Sequence, residues 1–201
     1  MARPTIRSLK PGTGPARGGT LVILRGANLN RTSHCNCRFG TTVVECASRT
    51  DRVVECVAPP IILGEDVSPV VSVQLSLDDK RRWLSGTLEF AYDPSLLLNA
   101  LTPTRGPSSG GTTVTITGVN FRARRVLSCR FDERVVQASF ISTEAITCRA
   151  PPGHDLATVS ISQNGVDFDG ALQFGYYSTP VPQSLTPERG VAEHSDENVC
   201  D

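Results

Sequence analysis

Apolar positions along this chain alternate with polar ones in short runs, and no stretch keeps a helical period. In TTVTITG, Val114 and Ile116 alternate with Thr113, Thr115 and Thr117. One face is apolar and the other polar, the signature of a half-buried strand. ATVSIS repeats the pattern with Val159 and Ile161 inward. Asn164-Gly165 lies between such runs and predicts a tight hairpin of type I′, which needs positive φ at both central residues. VQLSLDDKRRWL predicts a matching hairpin with Asp78-Asp79-Lys80 near its tip. The 17 glycines and 14 prolines punctuate the chain too often for helices of ordinary length. The expectation is all-β, with about seven short strands in each stretch of roughly 90 residues, the density of a β-sandwich.

The pattern is written twice. GPARGGTLVILRGANL begins at Gly14, and GPSSGGTTVTITGVNF begins 92 residues later at Gly106. At the same offset Cys37 lands on Cys129, Phe39 on Phe131, Cys56 on Cys148 and Pro59-Pro60 on Pro151-Pro152. Eight extra residues in the first copy then drop the offset to 84, where Phe90 meets Phe174 and Tyr92 meets Tyr176. A third start, SLTPERG, breaks off, because His194-Ser195 stand where the glycine pair should recur. The expected organisation is module one over 4–93, module two over 96–178, and a truncated or degenerate third start over 180–201. Leu98 aligns with Ile6 and no Gly/Ser linker intervenes, so the modules should form a stiff end-to-end rod. Gly18-Gly19 and Gly110-Gly111 should make a sharp turn before a strand. Gly26 and Gly118 should end that strand, with Asn28 and Asn120 capping the turn locally.

The separated elements share one order. They are Pro-x-x-Gly-Pro-x-x-Gly-Gly-Thr-x-Val-x-x-x-Gly-x-Asn, Cys-x-Phe, Cys-x-x-Pro-Pro and Phe-x-Tyr. In that order they resemble the IPT/TIG domain, an immunoglobulin-like fold of the E-set type. The resemblance covers 4–92 and 96–176. It implies two tandem immunoglobulin-like β-sandwiches of the kind carried by plexins, hepatocyte growth factor receptor-like and fibrocystin-like surface proteins. The same fold also serves Rel-type DNA-binding proteins and the accessory modules of some carbohydrate-active enzymes, so fold alone does not assign function.

Charge narrows the choice. Twenty basic residues balance twenty acidic ones, which gives no global pull toward nucleic acid or an anionic membrane. No run of about 18 apolar residues predicts a membrane span, and no apolar segment after Met1 resembles a secretory signal. The signal-less start and the broken third copy together predict a piece of a larger protein.

Seven cysteines are present: Cys35, Cys37, Cys46, Cys56, Cys129, Cys148 and Cys200. The spacing of 19 between Cys129 and Cys148 recurs between Cys37 and Cys56, so the repeat pairs them alike. Cys35 and Cys46 then form a natural second pair, but a Cys46–Cys56 bridge is equally open, since Cys35 and Cys37 would share one face of a strand. A bridge closing such a loop is worth roughly 3 kcal/mol, large for so small a module. Buried free thiols are the alternative. His34 beside Cys35-Asn36-Cys37 lacks the spacing and the second pair that structural zinc uses, so no metal is expected. Asn30-Arg31-Thr32 is an N-glycosylation acceptor.

Basic residues gather at Lys80-Arg81-Arg82 and at Arg122, Arg124 and Arg125. Solvated loops are the plain reading; contact with sulfated glycan or phosphate is the sharper one. Arg122 to Arg125 also has a furin-type pattern, although a compact module would hide it. Asp167 and Asp169 are oxygen donors of the kind calcium takes, but Trp83 and Ser85 align with them in module one. No nucleophile elbow or zinc-protease motif occurs, so neither an enzyme nor a cofactor is expected. Leu21 and Ile23 must face outward where module two has Thr113 and Thr115, which marks a candidate contact face. The expected role is a non-catalytic spacer and binding module of a cell-surface or secreted protein, with protein partners first, glycans second and no nucleic acid. A Rel-like DNA-binding module, which would need reduced cysteines and a basic face, and an accessory carbohydrate module, which would need exposed aromatics, are the alternatives.

Overall fold

A computed structural model describes residues 3–30, 33–63, 70–84 and 88–179. Cys200, Arg31 and Thr32 of the glycosylation acceptor, and the third start at 180–201 lie outside the described residues. Those described form sixteen strands and no helix. Module one holds β1 (Thr5–Lys10), β2 (Thr13–Pro15), β3 (Leu21–Ala27), β4 (Asn36–Phe39), β5 (Thr42–Arg49), β6 (Val53–Val57), β7 (Val70–Ser76) and β8 (Leu88–Asp93). Module two repeats the series as β9 (Leu97–Thr102), β10 (Arg105–Pro107), β11 (Thr113–Val119), β12 (Ser128–Phe131), β13 (Arg134–Ser142), β14 (Ala145–Arg149), β15 (Leu156–Ser162) and β16 (Asp169–Tyr177).

The ladder in module one runs β1-β3-β6-β5-β4-β7-β8-β2. β5 belongs to both layers of the sandwich. Its first half, Thr42 to Glu45, pairs with β4, and its second half, from Cys46, pairs with β6. β13 does the same between β12 and β14. The short β2 and β10 add in parallel to β8 and β16.

Alternation builds each core. Val22 and Leu24 on β3, and Val114 and Ile116 on β11, are fully buried. Across the sandwich Phe39, Phe90 and Tyr92 stack edge to face at 5.6 and 5.0 Å, and Phe131, Phe174 and Tyr176 repeat this at 5.7 and 5.0 Å. The Tyr92 hydroxyl donates to the carbonyl of Pro59 at 2.9 Å, and that of Tyr176 to Pro151 at 2.8 Å. The repeated Pro-Pro and Phe-x-Tyr elements are thus two ends of one contact. Gly18 and Gly110 have φ of +74° and +77°, and a Cβ there would meet the backbone nitrogens of Pro60 and Pro152 at 2.6 and 2.5 Å. Both conditions require glycine at that turn.

Two local expectations change. Gly26 and Gly118 lie inside β3 and β11, where the backbones of Thr5 and Leu97 pass too close for a Cβ. Asn28 and Asn120, at positive φ, donate to the carbonyls of Arg3 and Ser95 in the incoming chain. Asn164-Gly165 is not a two-residue hairpin. Only Gly165 has positive φ, and β15 reaches β16 through a loop from 163 to 168. Asn164 Oδ1 accepts from the amides of Val166 and Asp167 and so shapes the loop from within.

Candidate functional site

The polar residues of that loop meet module one. Asn164 Nδ2 donates to the carbonyl of Thr13 at 2.9 Å, and Thr20 Oγ1 donates to Asp167 at 2.6 Å. Arg17 pairs with Asp169 at 2.5 Å. From the other side Arg124 Nη2 donates to Asp93 Oδ1 at 2.7 Å, and Arg122 Nε lies 3.4 Å from the same oxygen. Asp93 ends β8 and its side chain is only 7% exposed, so the carboxylate that leads out of module one is held by arginines of module two. Between these contacts remains a crevice of about 20 Å³ lined by Pro94, Leu96, Gln163 and Asn164 among others, no larger than one water. These contacts form a polar seam, and a groove of about 560 Å³ opens beside it between Lys10–Thr13 and Arg124–Val126.

This seam employs residues whose sequence pattern alone predicts solvated loops. Arg124 is drawn in against Asp93, Arg122 reaches the same carboxylate while its side chain stays 48% exposed, and Arg125 is exposed. Arg81 and Arg82 are exposed, and the Arg82 amide donates to Asp78. That bond is the main reason the Asp78 carboxyl sits below its usual range. Asp167 and Asp169 spend their oxygens on Thr20, Asn164 and Arg17. The signal that could have found the junction is the alignment of Arg122 and Arg124 with Asn30 and Thr32, a polar acceptor loop rewritten as a basic one beside the linker.

The cysteines fall into three bridges. Cys37–Cys56 and Cys129–Cys148 join the two layers of their modules, with Cα separations of 6.4 Å in each. Cys35–Cys46 spans 5.5 Å and ties the segment entering β4 to β5. Cys35 precedes β4 and does not share a strand with Cys37. Asn30 is exposed, in the loop that follows β3. Leu21 is 39% exposed and Ile23 is half-buried; opposite Leu21 on β6 stands Val57, 43% exposed. The corresponding strip in module two carries Thr113, Thr115, Thr147 and Arg149.

Comparison with known proteins agrees with this architecture. The family model described as the IPT/TIG domain matches residues 4–92 and 96–177. Plexin-A4 of Danio rerio is 29% identical over 192 residues, covering 92% of this chain and 10% of the relative. Plexin-A4 of Homo sapiens is 28% identical over 199 residues, covering 92% of the chain and again 10% of the relative. The chain therefore spans about a tenth of the length of these curated relatives. Among solved structures, the full extracellular region of plexin A4 superposes with a TM-score of 0.56 at 22% identity, over 90% of this chain and 16% of that one. Matched twice over most of its length, the chain belongs to the IPT/TIG family.

Proposed function

We propose that this chain is a non-catalytic segment of a receptor-like protein, with two IPT/TIG modules held at a set angle and their outward faces offered to protein partners. The chain works outside the cell or at its surface, the setting in which three disulfides persist. The plexin relatives support a receptor setting. The single observation that carries the spacer role is the junction, where Asp93 is buried between Arg122 and Arg124 while Arg17 and Thr20 reach the opposite loop. A buried carboxylate loses its partners if the modules swing apart, which is costly. The outward strip of Leu21, Ile23 and Val57 is the first candidate for a protein partner, and exposed Arg81, Arg82 and Arg125 for an anionic glycan.

Spin labels at the exposed positions Glu89 and Glu133 test the angle. The expected result is one narrow distance distribution, which broadens in Asp93→Ala/Asp169→Ala while both modules keep their melting temperatures. A broad distribution in the unaltered protein rejects a set angle.

A further inference from the structure

Module one carries two disulfides that touch. The sulfurs of Cys37, Cys46 and Cys56 all lie within 4.8 Å of one another, although Cys46 is bonded to Cys35 and Cys37 to Cys56. Cys46 and Cys56 are also direct partners across β5 and β6, so their side chains leave the sheet on the same face. Directly opposed residues stand about 4.5–5.5 Å apart at Cα. That falls inside the range a disulfide accepts, so a Cys46–Cys56 bond asks for no large backbone movement.

The two bridges differ in access. Cys37 and Cys56 are fully buried. Cys35 and Cys46 are half-buried and line a polar cleft of about 280 Å³. Arg49 and Lys80 line the same cleft, together with His34, Glu45 and Asp79. Arg49 crosses it to donate to the carbonyl of His34 at 3.0 Å. Cationic groups beside a sulfur favour its thiolate, the form that attacks and leaves in exchange.

We propose that the four cysteines of module one form a thiol–disulfide exchange site, entered by a small extracellular thiol at Cys35 and relayed by Cys46 to the buried bridge. The incoming thiolate forms a bond to Cys35 Sγ, and the Cys35–Cys46 bond breaks with its electron pair on Cys46. The Cys46 thiolate then attacks Cys56 Sγ; the Cys46–Cys56 bond forms and the Cys37–Cys56 bond breaks. Cys37 leaves as thiolate and takes up the proton that the incoming thiol released. Two disulfides are present before and two after, so no oxidant or reductant is consumed. The crosslink that joined β4 to β6 between the layers becomes one between β5 and β6 within a layer. Exchange therefore unties the two sheets of module one. Among the described residues module two has no third sulfur near Cys129–Cys148, because Leu127 and Ala138 occupy the positions of Cys35 and Cys46.

The test uses the intact, disulfide-bonded chain and reduced glutathione as the probe. After incubation, free thiols are alkylated and the unreduced peptides are mapped by mass spectrometry. The expected products are glutathione on Cys35, a Cys46–Cys56 linkage and alkylated Cys37, with Cys129–Cys148 intact as the internal control. Alkylation at Cys46 with Cys37–Cys56 unbroken overturns the relay. Opening of all three bridges together overturns the selectivity, and resistance of Cys35–Cys46 to glutathione overturns the entry. Cys35→Ser supplies a second reading, since it leaves Cys46 as a thiol. Label should then divide between Cys46 and Cys37 without added glutathione, and label on Cys46 alone rejects the proposal.

Discussion

The two modules solve one packing problem in two ways. In module one the segment entering β4 is fastened to β5 by the Cys35–Cys46 bridge; in module two Leu127 and Ala138 stand there, both buried. The backbone is the same in each. The Cys46 amide donates to the Cys35 carbonyl at 3.1 Å, and the Ala138 amide to the Leu127 carbonyl at 2.9 Å. The ladder sets the geometry, and the side chains only choose how to reinforce it. Burying a leucine contributes about 2 kcal/mol, and closing a short loop by a disulfide contributes about 2–3 kcal/mol. The two devices are comparable in strength but not in chemistry, because only one of them brings a third sulfur beside the core bridge.

The largest effect should come from breaking the crosslinks that the modules share. Cys129→Ala/Cys148→Ala removes the only bridge of module two among the described residues, with an expected loss of about 3 kcal/mol. Cys37→Ala/Cys56→Ala leaves module one its second bridge and should cost less. Calorimetry resolving the two transitions compares them; equal losses would mean that Cys35–Cys46 adds nothing to the stability of module one.

Base should separate the modules next. Burial pushes the Tyr92 hydroxyl up from 10.0 to about 12, and burial also raises Tyr176, against the opposing pull of Arg134. A folded value above the unfolded one means the stabilisation is whole below pH 10 and fades as the pH climbs through 12. Module one should lose on the order of 2 kcal/mol over that window, and module two less. Tyr92→Phe should abolish the loss in module one and leave that of module two, which tyrosine absorbance during alkaline titration can follow.

A smaller effect sharpens the opening comparison. Cys35→Leu/Cys46→Ala writes the solution of module two into module one. Its unfolding free energy should stay within about 1 kcal/mol of the parent, measured by denaturant titration. A loss several times larger would show that the surrounding cleft cannot close over leucine.

The smallest effect concerns the outer strip. Leu21→Thr/Ile23→Thr copies Thr113 and Thr115 and should shift stability by no more than roughly 0.5 kcal/mol. Unfolding of module one would place these side chains in its core and end the idea of a contact face.

The strand pattern and the repeat were legible because both are local. Inward Val22 and Leu24, and their copies Val114 and Ile116, need only alternation to be recognised. The turn at Gly18 and Gly110 and its need for positive φ were legible as glycine, whereas the second reason, the approach of Pro60 and Pro152, was not. The hairpin expected at Asn164-Gly165 misled because Asn164 is drawn into the module junction, where its amide serves Thr13. Arg122 and Arg124 looked like solvated charges for the same reason. Their partner, Asp93, is about thirty residues away in another module.

What the sequence determined by itself is the unit: an all-β module, written twice, with its glycine turn, its aromatic stack and its proline pair in order. Short-range alternation and an internal copy carry that information without any knowledge of tertiary contacts. Only the folded chain decided which charges close the junction, and that Cys46 lies against two bridges instead of one. Those facts depend on where strands far apart in sequence are brought side by side, and no local period encodes that distance.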